Sequence, residues 1–153
     1  MNRIVLILLL AFPLSLFSQS YINQSYKQVK KEIKKKEFKK FRNNPEMEAA
    51  DSVIIFTADN PPCQPIKLVF QFDENRKCRS EEIVTRCESY FSEYLKQLIE
   101  IKKYNWTKIN ENQYVSDFNS ALMIEIPPEN VSFSLTILRM DWSREIYDLL
   151  MKK

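Results

Sequence analysis

The sequence predicts an α+β fold: a single domain with a mainly antiparallel sheet of about five or six strands packed against a long central helix. Two observations support this class. Residues 80–103 place their apolar side chains on one half of a helical cylinder, and that arc is wide enough to lie across a sheet. The flanking segments alternate between apolar and polar residues, which is typical of strands with one buried face.

The central helix is predicted to begin at Ser80, whose hydroxyl can accept hydrogen bonds from the free N–H groups of a first turn. Glu81 and Glu82 follow at positions where the helix dipole favours negative charge. The apolar half of the helix then comprises Ile83, Val84, Cys87, Tyr90, Phe91, Tyr94, Leu95, Leu98, Ile99 and Ile101.

Strand-like segments lie on both sides of this helix. Two precede it, Val53–Thr57 and Ile66–Asp73, and four follow it, at 105–109, 113–118, 121–126 and 131–138. Their connections are too short for crossover helices, so we expect antiparallel pairing. Asp141 can cap a short C-terminal helix with apolar residues Trp142, Ile146, Tyr147, Leu149 and Leu150. Because the chain has no glycine, turns that need positive φ must use Asn or Asp.

Residues 1–20 have the pattern of a signal peptide. Arg3 precedes an apolar run from Ile4 to Phe17, and Ser18 and Ser20 are small residues suited to a cleavage site. The apolar run is shorter than the roughly 20 residues that span a bilayer. A membrane anchor stays open as the alternative, because the dense positive charge downstream would hold the next segment in the cytoplasm.

Export would place the protein in the periplasm or outside the cell, where cysteines can pair. Three cysteines leave one unpaired. If a strand at 66–73 leads into the central helix, Cys63 lies beyond the far end of that strand, and Cys78 and Cys87 are the most reachable pair. The alternative is that Cys87 is simply a small buried apolar residue.

The mature chain divides into a basic amphipathic arm at 21–44 and an α+β domain at 45–153. From Lys27 to Arg42 there are nine Lys/Arg and two Glu, a net charge of +7, whereas residues 43–153 have 13 Lys/Arg and 18 Asp/Glu, a net charge of −5. An apolar stripe of Ile22, Tyr26, Val29 and Ile33 predicts that the first turns of the arm pack on the domain and that the remainder is solvated.

The arm suggests an anionic surface, such as lipid headgroups, as a partner. The candidate contacts are Lys30, Lys31, Lys34, Lys35, Lys39 and Lys40, with Tyr21, Tyr26, Phe38 and Phe41 as aromatic anchors. Nucleic acid is not an expected partner of an exported protein. The alternative is a solvated lysine face, or a helix held electrostatically on its own acidic domain.

Composition excludes several familiar catalytic classes. Without glycine there is no Walker loop, dinucleotide fingerprint or nucleophile elbow, and without histidine there is no Ser-His or Cys-His catalysis. The carboxylate pairs 73–74 and 81–82 are sequence neighbours that point apart, unlike the facing carboxyls of a glycosidase. We therefore expect no enzymatic activity, no cofactor and no metal.

The function predicted from sequence is a non-catalytic binding or interaction module that recognises an unknown protein or envelope partner. The alternative is a peripheral membrane or envelope-surface protein that binds anionic surfaces through the basic arm. A carboxylate-dependent hydrolase is a distant third possibility.

Overall fold

One sheet of eight antiparallel strands organises the molecule, and three short α-helices accompany it. This computed structural model describes residues 20–41, 43–128 and 132–152, so the predicted signal peptide lies outside the described residues except for Ser20. The predicted sheet of five or six strands and the long central helix are both wrong.

The strands are β1 (Asn43–Ala49), β2 (Val53–Asn60), β3 (Cys63–Phe72), β4 (Cys78–Thr85), β5 (Thr107–Asn110), β6 (Gln113–Val115), β7 (Leu122–Glu125) and β8 (Phe133–Arg139). The helices are α1 (Tyr26–Lys40), α2 (Glu88–Ile99) and α3 (Arg144–Met151), with a short 3₁₀ turn at Lys102–Tyr104. Across the sheet the strands follow the order β1-β2-β3-β4-β8-β7-β6-β5. Each half is therefore a meander, and the halves meet where β4 pairs with β8.

The segment predicted as the start of the central helix is instead strand β4. Ile83 pairs with Leu68 of β3 on one side and with Leu135 of β8 on the other. The run Ile83, Val84, Thr85 is β-branched, and such side chains pack well on a pleated sheet while losing rotamer freedom in a helix. The helix begins only at Glu88, so α2 has 12 residues.

The other missing strand is β1, whose first two residues were predicted as the end of the arm and whose remainder was predicted to belong to the domain without forming a strand. It pairs with β2 through Met47 opposite Phe56 and carries mostly exposed side chains. The four strands after the central helix were predicted, and β5 to β8 occupy those segments with shifted ends.

Helix α1 begins with a capping box, as Ser25 accepts from the Gln28 N–H while the Gln28 side chain accepts from the Ser25 N–H. Val29 and Ile33 are fully buried against the sheet, which confirms the predicted packing of the first turns. The predicted solvation of the remainder is wrong in part, because Phe38 and Phe41 both pack on Phe56 of β2.

One face of the sheet forms the core beneath α1 and α2. It contributes the fully buried Ile54, Phe56, Ile66, Phe70, Ile124, Leu135 and Ile137. Among the described residues, five have positive φ: Asn23, Asn44, Asn105, Arg76 and Ala121. Asparagine takes three of these five positions, and the expectation that only Asn or Asp would do so is wrong at Arg76 and Ala121.

Candidate functional site

The outward side of α1 is the most strongly charged surface with a regular geometry. Burial of Val29 and Ile33 fixes the helix rotation and turns five exposed lysines to solvent: Lys27, Lys31, Lys34, Lys35 and Lys39. At about 100° per residue these lysines span an arc of about 140°. We call them the outer lysine face.

Both carboxylates of α1 have a hydrogen-bond partner outside this face. Glu32 forms an ion pair with Lys36 at 3.0 Å, and the hydrogen bond from Lys36 holds the pKa of Glu32 below its usual value. Glu37 accepts a 3.2 Å hydrogen bond from the Tyr21 hydroxyl. Within 20–41, 43–128 and 132–152, no lysine of the outer lysine face forms an ion pair. Lys31 and Lys35 of the face also attract Glu32 and help to lower its pKa, so one nearby carboxylate against five lysines leaves the face with a net positive charge.

Two of the six lysines predicted to contact an anionic surface lie elsewhere. The Lys40 ammonium is 4.7 Å from the centre of the Phe41 ring and donates to the Tyr90 hydroxyl at 3.2 Å. Lys30 is half-buried, 6.0 Å from the centre of the Tyr26 ring. Lys31, Lys34, Lys35 and Lys39 belong to the outer lysine face, and Lys27 is an addition that the sequence analysis did not select.

The four predicted aromatic anchors face inward. The Tyr21 ring packs edge-on against Phe70, and the Tyr26 ring does the same against Phe72. Phe38 and Phe41 cover Phe56, as described above. These rings hold α1 on the sheet, so the outer lysine face lacks aromatic side chains that could insert into lipid.

A second cluster surrounds Glu81, which points into the core from β4 and is only 4% exposed. Its carboxylate accepts from the Tyr21 N–H at 3.0 Å, from the Tyr94 hydroxyl at 3.2 Å and from the Ser20 hydroxyl at 3.4 Å. Burial raises the pKa of Glu81 to about 7, although the hydrogen bonds from Tyr21 and Tyr94 oppose that rise. The predicted helix start at Glu81 was wrong, and this cluster was not predicted. The available signal was the β-branched run Ile83-Val84-Thr85, which favours a strand and so puts Glu81 on the same face as Ile83 and Thr85.

The disulfide joins Cys63 to Cys87, whose Cα atoms are 5.3 Å apart, so the predicted Cys78–Cys87 pair is wrong. A helix from Ser80 would advance only 1.5 Å per residue, whereas strand β4 advances about 3.3 Å and returns to the start of β3. Cys78 is a buried free cysteine whose thiol pKa is raised by burial. The disulfide is consistent with an exported protein.

A surface depression of about 690 Å³ lies beside the β5–β6 turn. Its two carboxylates are engaged, as Glu111 pairs with Lys108 at 2.7 Å and Glu125 accepts from Gln113 at 3.4 Å. In the described ranges, no group of three or more metal-ligating side chains forms, and no helix has the length and apolar character needed to cross a bilayer.

Comparison of the chain with protein-family models, with curated proteins and with solved structures finds no match.

Proposed function

We propose that this chain is an exported, non-catalytic binding module, periplasmic or secreted, that attaches to anionic lipid surfaces through the outer lysine face of α1. The observation that carries the proposal is the net positive charge of this face: among the described residues its five lysines form no ion pair, and Glu32 is the carboxylate of α1 that attracts two of them. A rigid array of cations that outnumber the nearby carboxylates, on one side of a docked helix, favours a negatively charged surface.

The fold supports a peripheral mode of binding. Apolar contacts of Val29 and Ile33 hold α1 on the sheet, so the lysines remain available without weakening the core. Since the aromatic rings of the arm are used internally, attraction to the surface is electrostatic. A lysine near an anionic membrane contributes about 1 kcal/mol, so five give a dissociation constant of about 0.2 mM at low salt. Salt screens such charges over about 8 Å at physiological ionic strength.

The test compares two triple variants with equal loss of charge. One replaces Lys34, Lys35 and Lys39 by Gln, and the other replaces the exposed Lys67, Lys96 and Lys102, which lie outside α1. Cosedimentation with vesicles containing phosphatidylglycerol is measured at low and high salt, and vesicles of phosphatidylcholine alone are the lipid control.

We expect the α1 variant to lose about 100-fold in affinity while the control variant stays close to the parent protein. Both variants should keep the parent Tm, because exposed charges contribute little to stability. Equal losses in the two variants would show that only net charge matters. Failure of the parent protein to bind anionic vesicles would remove the proposal altogether.

A further inference from the structure

The buried carboxylate of Glu81 has no cationic partner among the described residues. The titratable groups around it are Tyr21, Tyr94 and Tyr104, the Cys78 thiol, and Glu37 from α1, and none of them is positively charged. An ion removed from water and left unpaired costs several kcal/mol even after relaxation of the protein. A cation at this position would remove that cost.

A backbone nitrogen beside the Glu81 carboxylate could become such a cation. Tyr21 N already donates to Glu81 Oε2 at 3.0 Å. The neighbouring backbone is fixed by hydrogen bonds from Asn23 N to Cys78 O and from Cys78 N to Gln24 O, at 2.9 and 2.8 Å. If the peptide bond before Tyr21 were cut, its nitrogen would become an α-ammonium in the same place.

The sequence independently offers a cleavage site at that bond. The tripeptide Ser18-Gln19-Ser20 matches the small-x-small pattern that precedes signal-peptidase cleavage, and an apolar run stands in front of it. Cleavage after Ser20 would make Tyr21 the first residue of the mature chain.

We propose that signal peptidase hydrolyses the Ser20–Tyr21 bond and that the new α-ammonium of Tyr21 becomes the buried counter-ion of Glu81. Water adds across the amide: Ser20 leaves as the carboxylate end of the removed segment, and the Tyr21 nitrogen keeps its electron pair and is protonated. The ammonium has three N–H donors, so it replaces the 3.4 Å bond from the departed Ser20 hydroxyl as well as the amide donor. Ser20 and Tyr21 are each 7% exposed, so hydrolysis precedes folding.

The first experiment is N-terminal sequencing and intact mass of the full chain after expression with its own residues 1–20 in a host that exports it. We expect Tyr21 as the first residue. A mature chain beginning at Gln19, or one retaining Met1, would overturn the proposal.

The second experiment measures the rate at which an amine-acylating reagent labels the exported protein at pH 7. An ordinary α-amino group has a pKa of about 8, and each unit by which the carboxylate raises it lowers the reactive fraction about tenfold. We expect the native Tyr21 amine to react at least 10-fold more slowly than the same amine in denaturant.

Glu81→Gln should restore rapid labelling, whereas the matched Glu48→Gln, at an exposed position on β1, should leave it slow. Rapid labelling of the native parent protein, or equal rates in both variants, would overturn the ion pair. The pH at which labelling of the native parent protein becomes rapid decides the question even if Glu81→Gln does not fold, because an ion pair raises the pKa of the amine above about 8, whereas burial alone lowers it.

Discussion

The Cys63–Cys87 disulfide gives the most specific prediction. A strand at 78–85 brings these two cysteines together, whereas the helix expected there would not. The bond closes a loop with a sequence separation of 24. In the chain-entropy model, closing a loop of this length stabilises the folded state by about 3.5 kcal/mol. Replacing Cys63 and Cys87 together by Ser should therefore lower the Tm by about 10 °C.

Connectivity can be read directly from a tryptic digest of the exported protein with its free thiol blocked. Cleavage after Lys and Arg puts the three cysteines on separate peptides, 43–67, 78–79 and 87–96. We expect 43–67 linked to 87–96, with 78–79 carrying the blocked thiol. Cys78→Ala is the matched control and should leave this linkage unchanged.

Reductant should lower the Tm of the parent protein and have no such effect on the double Ser variant. A linked pair of 78–79 and 87–96 would contradict the strand assignment of β4. Three blocked thiols in the exported protein would contradict the disulfide itself.

Three further predictions concern stability. Leu98→Ala should lower the free energy of unfolding by about 2–5 kcal/mol, because Leu98 is fully buried in α2. Glu93→Ala, at an exposed position of the same helix, should change it by less than about 0.5 kcal/mol in chemical denaturation. Equal effects of the two substitutions would mean that the rotation of α2 is wrong. Ser25→Ala removes the side-chain cap of α1 and should cost about 1 kcal/mol in the same assay. In protein that retains Ser20, folding raises the pKa of Glu81 from 4.5 to about 7, so the folded state binds the proton more tightly. The unfolding free energy should fall by about 3 kcal/mol between pH 4.5 and 7 and stay flat in Glu81→Gln, as checked by denaturation across that range.

The parts of the fold that were predicted from sequence are those where the spacing of apolar residues fits either a helix or a strand, but not both. Tyr26, Val29 and Ile33 are spaced by three and then four residues, and a helix puts all three on one face whereas a strand does not. Phe133, Leu135 and Ile137 alternate with Ser134 and Thr136, which only a half-buried strand explains.

The start of the central helix was misplaced because its local signals fit two structures. Ser80 followed by two glutamates looks like a capped helix N-terminus, yet the β-branched run Ile83-Val84-Thr85 favours a strand. With a glutamate on the buried face, the strand does not show the usual alternation of polar and apolar residues, and a carboxylate is almost never fully buried without partners. Those partners, Tyr21 and Tyr94, are distant in sequence. The disulfide error followed from the same misassignment.

Strand order has a consequence for how the sheet is completed when the chain is delivered from its N-terminus onwards. Strands β1 to β4 and both bonded cysteines lie within residues 43–87, so this half can pair before the later strands are available. Until β8 arrives, β4 presents an open ladder of N–H and C=O groups beside apolar side chains, a template for pairing with another chain. A chain in which β4 has formed and β8 has not is therefore exposed to aggregation, and prompt delivery of residues 133–139 closes that edge.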